Sequence, residues 1–175
     1  MADHARSVGR DTQTAGPTDQ AKSSSTGHSE SFLICGVGTR FCGLPLNHVT
    51  ETMRPLRSEP LGGTPEFIRG VAVIRGEAVP VVDAGLLLGG EEANASRFVS
   101  IRFDERTVAL AVDAVLGVRA IADDDLRELP PLLEGASGDV IASLGQLDSE
   151  MLVVLEGARL VPESVWDMID GQVSA

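Results

Sequence analysis

The sequence is poor in aromatic residues and in long apolar runs. Of its 175 residues only 3% are aromatic, with five Phe, one Trp and no Tyr. Because hydrophobic residues still make up 43% of the chain, we expect a core built from Val, Leu, Ile and Ala. The longest apolar run, Gly85 to Gly90, is far too short to span a bilayer. We therefore predict no direct membrane insertion, and no signal peptide is visible near the N-terminus.

Basic residues and cysteines are also scarce. Lys and Arg number 14 against 26 Asp and Glu, which gives a net charge of -12. A chain with this charge is repelled on average by a nucleic-acid duplex, so we predict no nucleic-acid partner. The two cysteines, Cys35 and Cys42, are too few for a disulfide framework. Their small number indicates a reduced, cytoplasmic location.

The first 29 residues differ in composition from the rest of the chain. Ser, Thr, Gly, Gln and Asp dominate residues 1–29, and Val8 is the only large aliphatic side chain there. Such a segment buries too little apolar surface to offset the entropy of ordering. We predict a disordered tail over residues 1–29 and a folded domain over residues 30–170.

From Ser31 onward the pattern is that of β-structure. Short apolar runs are separated by turn residues such as Arg75-Gly76 and Asp104-Glu105-Arg106, which predicts hairpins. Many short strands without alternating helices indicate a small barrel or sandwich. A short helix or turn is expected over residues 47–54, and a C-terminal helix over residues 161–170, where Pro162 suits the first turn.

Motifs that carry chemistry are absent. The sequence has no phosphate-binding GxxxxGK[ST], no HExxH, no CxxC and no GxSxG. The acidic run Asp123-Asp124-Asp125 is typical of a solvated loop and lacks the remaining ligand positions of a calcium site. We therefore predict no catalytic residues, no metal and no cofactor.

One catalytic alternative stays open. Cys35 or Cys42 as a nucleophile with His48 as its base would give a small cysteine-dependent hydrolase. Both cysteines, however, lie in apolar strand runs, which favours reduced, buried and unreactive thiols.

The most specific pattern spans residues 65–83, which read PEFIRGVAVIRGEAVPVVD. Together with VTETM at residues 49–53 and VALAVDAVLGV at residues 108–118, it resembles the CheW-type coupling proteins of bacterial chemotaxis. Gly, Pro, Arg and Asp fall at fixed offsets there, which a generic apolar pattern does not give. The residues that match are Pro65, Phe67, Gly70, Val73-Ile74-Arg75-Gly76, Pro80, Asp83 and Val112-Asp113-Ala114-Val115.

This resemblance covers residues 31–160 and implies a fold and a function. The implied fold is all-β, with two small five-stranded SH3-like barrels that share an aliphatic core, and short helices. The first barrel is expected at about residues 30–92 and the second at about 93–160. The implied function is that of a non-catalytic adaptor that couples a CheA-type histidine kinase to the cytoplasmic tips of chemoreceptors. The kinase partner would dock through its similar regulatory domain.

The resemblance also implies which residues bind partners. In such proteins an arginine that corresponds to Arg75 is matched with an acid that corresponds to Glu51. Val49 and Met53, on either side of Glu51, are candidate contacts for a receptor helix, and Gly76 completes the candidate partner-binding set. A CheW-like module that serves a different sensory pathway is the alternative within the same class.

Overall fold

A computed structural model of the chain describes residues 27–130 and 138–174. Ten strands and two α-helices occur in these ranges. In chain order they are β1 (Ser29–Val37), β2 (Arg40–Pro45), β3 (Val49–Met53), β4 (Ile68–Ile74), β5 (Glu77–Asp83), α1 (Ala84–Leu87), β6 (Arg97–Phe103), β7 (Arg106–Val112), β8 (Ala114–Ala122), β9 (Ile141–Leu147), β10 (Glu150–Leu155) and α2 (Glu163–Val173). Residues 1–26 of the predicted tail lie outside the described ranges, and β1 begins at Ser29.

The strands form two five-stranded SH3-like barrels, as the fold prediction stated. Barrel A has the strand order β8-β1-β2-β10-β9, and barrel B has the order β3-β6-β7-β5-β4. The predicted division into residues 30–92 and 93–160 is wrong, because the chain leaves barrel A after β2, builds all of barrel B with β3–β7, and then returns. The local pattern predicts each hairpin. It does not show that the free edges of the β1–β2 hairpin form hydrogen bonds with strands more than 70 residues away.

The hairpins themselves follow the local sequence. The β4–β5 turn is Arg75-Gly76, as predicted, and the β9–β10 turn is Asp148-Ser149. The β1–β2 turn is Gly38-Thr39, and Gly38 has a φ of 57°. A glycine with positive φ at the first central position suits the twist of a two-residue hairpin loop.

The expectation of a short helix or turn over residues 47–54 was only partly correct. A 3-10 turn covers Leu46–His48, and residues Val49–Met53 then form strand β3. The β-branched Val49, Thr50 and Thr52 suit a strand, and β6 supplies hydrogen bonds along this segment. A neighbouring strand that the local window does not contain therefore decided the conformation.

Alternation along the strands divides the buried residues among three clusters in the described part of the chain. In β1, Phe32 and Ile34 fill the interior of barrel A, while Leu33 and Cys35 face the cluster between the two barrels. In β7, Ala109 and Ala111 fill the interior of barrel B. We call the cluster between the barrels the shared core; apart from Trp166 and the two cysteines, its fully buried members are aliphatic.

The C-terminal helix closes the shared core. Helix α2 begins after Pro162, in agreement with the predicted helix over residues 161–170, and runs to Val173. Its buried side chains Val165, Trp166 and Ile169 recur at spacings of one and three residues and all belong to the shared core. This spacing places them on one helix face, so α2 covers apolar surface contributed by both barrels.

Candidate partner-binding site

The candidate site begins at the β4–β5 turn. Arg75 has a φ of 52° and Gly76 a φ of 86°, so both central residues of the turn are left-handed, as in a type I′ hairpin. A non-glycine residue in this region is uncommon and costs energy. Arg75 is thus held in a turn that a smaller or more flexible residue would form more easily, which points to a use for its side chain.

The Arg75 side chain pairs with Glu51 of β3. Its Nε donates to Glu51 Oε1 at 2.7 Å and its Nη2 donates to Glu51 Oε2 at 2.8 Å. The contact that the resemblance implied is therefore present, with two parallel hydrogen bonds that fix the relative orientation of both groups. The Arg75 side chain is 78% exposed and that of Glu51 is 28% exposed. The pair lies on the surface and can be reached by a partner.

A bulge in β3 determines the direction of the Glu51 side chain. Val49 pairs with Ile101, but Glu51 pairs with the next residue, Ser100, so Thr50 is an extra residue in the ladder. Such a bulge turns the following residues relative to the preceding ones. Strand β3 is at one edge of barrel B and β4 is at the other, so the Glu51–Arg75 pair links two edges of the same barrel.

Val49 and Met53 contact different apolar clusters. Val49 is half-buried against the shared core, and Met53 is half-buried against the interior of barrel B. The bulge at Thr50 accounts for this difference, because it interrupts the alternation between the two residues. Each side chain leaves only part of its surface for a partner, while Gly76 is exposed at the turn.

Sequence reasoning missed an apolar side chain beside this pair. Val73, two residues before Arg75 on β4, is 70% exposed. Its neighbours Ala72 and Ile74 are buried in the interior of barrel B, so alternation places Val73 on the outside. The strand pattern of the sequence gives this alternation, and a large apolar residue at an outward position was the available signal.

The hydrogen bonds between Arg75 and Glu51 shift both titrations. They are the main reason that the pKa of Glu51 lies below its ordinary value, and they raise the pKa of Arg75. Because the pKa of Glu51 is lower in the folded chain than in the unfolded chain, the pair contributes fully above the unfolded value of about 4.3. The contribution is lost as the pH falls through the folded pKa.

We expect an NMR titration of the Glu51 carboxyl group to show this dependence. Its midpoint should lie below about 4.3 in the native chain and should rise toward that value in Arg75→Ala. Arg54→Ala, which removes an exposed arginine three residues from Glu51, is the matched control and should leave the midpoint unchanged. An unshifted midpoint in the native chain would contradict the pairing.

A second ion pair was also missed by sequence reasoning, and its carboxylate is buried. The Asp83 side chain has no exposed surface, and Arg69 Nε donates to Asp83 Oδ2 at 2.7 Å. Asp83 also accepts from the backbone N–H groups of Leu86 and Ala93, each at 3.0 Å through Oδ1. It therefore caps helix α1 and ties the loop after α1 to barrel B. An aspartate at the end of an apolar strand was the signal.

The residues of the hydrolase alternative are not arranged for catalysis. Cys35 and Cys42 are fully buried, and the hydrogen bond with Cys35, with burial, raises the pKa of Cys42 well above its ordinary value. An activated nucleophile needs the opposite shift. The His48 ring stacks on Phe103 with centroids 4.4 Å apart, and its Nδ1 lies 3.2 Å from the Arg102 carbonyl oxygen.

The family model of the CheW-like domain matches residues 31–165. The chain belongs to the CheW family. Members of this family are non-catalytic scaffold proteins, so the prediction that the chain is not an enzyme is confirmed, and the hydrolase alternative is excluded.

Individual proteins are similar to the chain over most or more than half of its length. The chain is 24% identical over 144 residues to the chemotaxis protein CheW of Klebsiella aerogenes, covering 81% of this chain and 87% of that protein. It is 34% identical over 121 residues to the protein FrzA of Myxococcus xanthus, covering 67% and 74%. The protein PilI of Pseudomonas aeruginosa is 30% identical over 103 residues, covering 57% and 58%.

A solved structure supports the CheW fold. The crystal structure of the scaffolding protein TtCheW from Thermoanaerobacter tengcongensis superposes with a TM-score of 0.64 and 23% identity. The match covers 74% of this chain and 90% of that structure. The arrangement of two SH3-like barrels is thus shared with CheW, and the chain is a CheW-type adaptor of chemotaxis-like signalling.

Metal ligation finds no support within the described ranges. Among residues 27–130 and 138–174, no three side chains of His, Cys, Asp or Glu come together in a way that could hold a metal ion.

The helices found in those ranges are too short or too polar to cross a membrane.

Proposed function

We propose that the chain couples the cytoplasmic tips of chemoreceptors to a CheA-type histidine kinase in the cytoplasm. The observation that carries this proposal is the exposed, bidentate Arg75–Glu51 pair, which joins β3 to the β4–β5 turn on the surface of barrel B. The pair holds Val49 and Met53 at a defined position relative to the turn. In this proposal a receptor helix contacts those two side chains, and Gly76 allows close approach at the turn.

The side chains around the β4–β5 turn favour an apolar contact with the partner, oriented by the Arg75–Glu51 pair. Val73, two residues before Arg75 on β4, is exposed and adds apolar surface to the strand that leads into the turn. Apolar side chains together with an arginine suit the composition of a protein–protein interface. Because this contact is mainly apolar, we expect the affinity for the partner, measured by titration at low and at physiological salt, to change little. A steep loss of affinity over that range would contradict an apolar contact.

A double-mutant cycle on Arg75 and Glu51 tests the proposal. Arg75→Ala should keep the fold but weaken the ternary complex with kinase and receptor roughly tenfold or more. Glu51→Ala should have the same effect, and the double variant should bind about as weakly as either single one, because the two groups act as a unit. Arg75→Lys should restore binding only in part, since an ammonium group lacks the planar fork.

The readouts of this cycle are thermal unfolding and binding of the purified kinase regulatory domain and a receptor-tip peptide. Arg57→Ala is the matched control, because Arg57 and Glu59 form another exposed Arg–Glu pair on the same barrel, at 2.9 Å. It should bind as the native chain does. Additive binding losses, or normal binding by Arg75→Ala, would contradict the proposal.

A CheW-like module of a different sensory pathway is the second candidate. It is favoured by the relatives FrzA and PilI, which are 34% and 30% identical to this chain and carry names other than chemotaxis protein CheW. Co-purification from native cell extract distinguishes the two candidates, because the identity of the kinase and receptor that are captured assigns the pathway.

A further inference from the structure

Cys35 and Cys42 lie directly opposite each other in the β1–β2 hairpin. Directly opposed residues of antiparallel strands have Cα atoms about 4.5–5.5 Å apart. A disulfide requires a Cα separation of about 4.4–6.8 Å. Both cysteines belong to the shared core, so their side chains point to the same side of the hairpin. Backbone register and side-chain direction are therefore both compatible with a bond between the two sulfur atoms.

The two side chains lie opposite each other on the hairpin and are shielded from solvent. Neither residue has exposed surface, and the hydrogen bond between them is the main cause of the raised pKa of Cys42. Nearby Asp113 adds a negative charge that acts in the same direction. Thiols held neutral in this way react slowly with external reagents. Each thiol nevertheless lies next to the other cysteine of the chain, with which it could form a disulfide.

We propose that Cys35 and Cys42 are a modification site, namely a latent cross-strand disulfide of the β1–β2 hairpin. The co-reactant is a small disulfide such as oxidised glutathione. One thiolate attacks it, forms a mixed disulfide and releases one glutathione thiolate; the second cysteine thiolate then displaces the other. Overall, two protein thiols lose two protons and two electrons to form one S–S bond, and one oxidised glutathione becomes two reduced molecules.

The position of the hairpin gives this bond a structural consequence. In the strand order β8-β1-β2-β10-β9, β1 and β2 are central, so β1 also pairs with β8 and β2 with β10. Separation of β1 from β2 would open barrel A at its middle. A covalent bond between Cys35 and Cys42 prevents that opening, and it does so within the core that joins the two barrels. Oxidation thus locks barrel A against local unfolding.

The test is a redox titration of the full chain in glutathione buffers. One series starts from the reduced chain and the other from chain that was oxidised and refolded. Each sample is equilibrated and quenched with acid. Free thiols are then alkylated in denaturant and counted by mass spectrometry. We expect both series to meet on one two-electron transition, in which the two thiols of a monomer disappear together. Cys35→Ser and Cys42→Ser are the controls and should give only glutathione adducts or dimers.

Hydrogen exchange provides an independent readout. Amides of β1 and β2 that exchange by local opening should exchange at least about tenfold more slowly in the oxidised chain than in the reduced chain. The exchange of Cys42→Ser should not respond to the oxidant in this way. Two results would overturn the proposal: a folded chain that stays reduced in buffers that oxidise the urea-unfolded chain, or an oxidised chain that does not regain its native circular dichroism.

Discussion

Replacing Asp83 with alanine is expected to lower the free energy of unfolding by about 3–5 kcal/mol. Asp83 is fully buried and its partner Arg69 is only 22% exposed. Without this carboxylate, Arg69 retains the Ala93 carbonyl oxygen at 2.6 Å and the exposed Glu92 at 3.4 Å as weaker compensation. The same change removes the acceptor of the Leu86 and Ala93 N–H groups, and an unsatisfied buried donor is itself costly. The thermal midpoint should fall by roughly 10 °C.

Matched variants separate the ion pair from a general loss of an acidic side chain. Asp124→Ala removes an exposed aspartate of the same size and should change the free energy of unfolding by less than about 0.5 kcal/mol. Arg69→Ala should also destabilise, and the double variant should lose less than the sum of the single losses. Urea unfolding at neutral pH measures the native chain and all four variants. A loss below about 1 kcal/mol in Asp83→Ala would contradict the structural role.

Replacing Trp166 with alanine is expected to cost a similar amount, about 3–5 kcal/mol. Trp166 is 7% exposed in the shared core, and the Arg106 guanidinium lies 4.9 Å from its ring centroid. Arg106 is held there by two hydrogen bonds to Glu163, at 2.6 and 2.9 Å. The substitution therefore leaves a large cavity beneath α2 and removes a cation–π contact.

Trp166 is the only tryptophan of the chain, so unfolding of this variant is followed by circular dichroism instead of fluorescence. Gln172→Ala on the exposed part of α2 is the matched control and should be within about 0.5 kcal/mol of the native chain. Trp166→Phe should recover part of the loss, because it refills much of the cavity. If Trp166→Ala unfolds like the native chain, α2 does not contribute to the shared core.

Local conformation was largely predictable from the residues themselves. The hairpin at Arg75-Gly76 follows from its turn chemistry, and the pattern of the strands gave the all-β class. Gly70, one of the residues that carry the family resemblance, has a φ of 136° in the structure, and a Cβ there would clash with the Glu59 carbonyl oxygen. That close approach accompanies the bridge between Glu59 and Val71. The geometry of a turn, and the room for a close backbone contact, depend on the type of a single residue. The sequence shows that type directly.

Much of the candidate site came from the family resemblance together with the residues. The pairing of Arg75 with Glu51 was expected from the resemblance, and the structure supplies its bidentate geometry. The Arg69–Asp83 pair was not expected, because a 14-residue separation across a bulged hairpin leaves no periodic signal. Exposed Val73 was overlooked because its outward direction matters only once β4 is known to lie at the edge of barrel B.

The order of residues along the chain was enough to predict most of the strands, the Arg75-Gly76 turn, the aliphatic composition of the core and the lack of catalytic motifs. These features depend on residues that are neighbours along the chain. Tertiary structure alone decided which strands belong to which barrel, that Val49–Met53 is a strand, and that Cys35 and Cys42 face each other in the shared core. Such features depend on hydrogen-bond partners and packing surfaces that are far away in the sequence. The free energy of the whole assembled core selects one strand pairing among those that the local pattern allows.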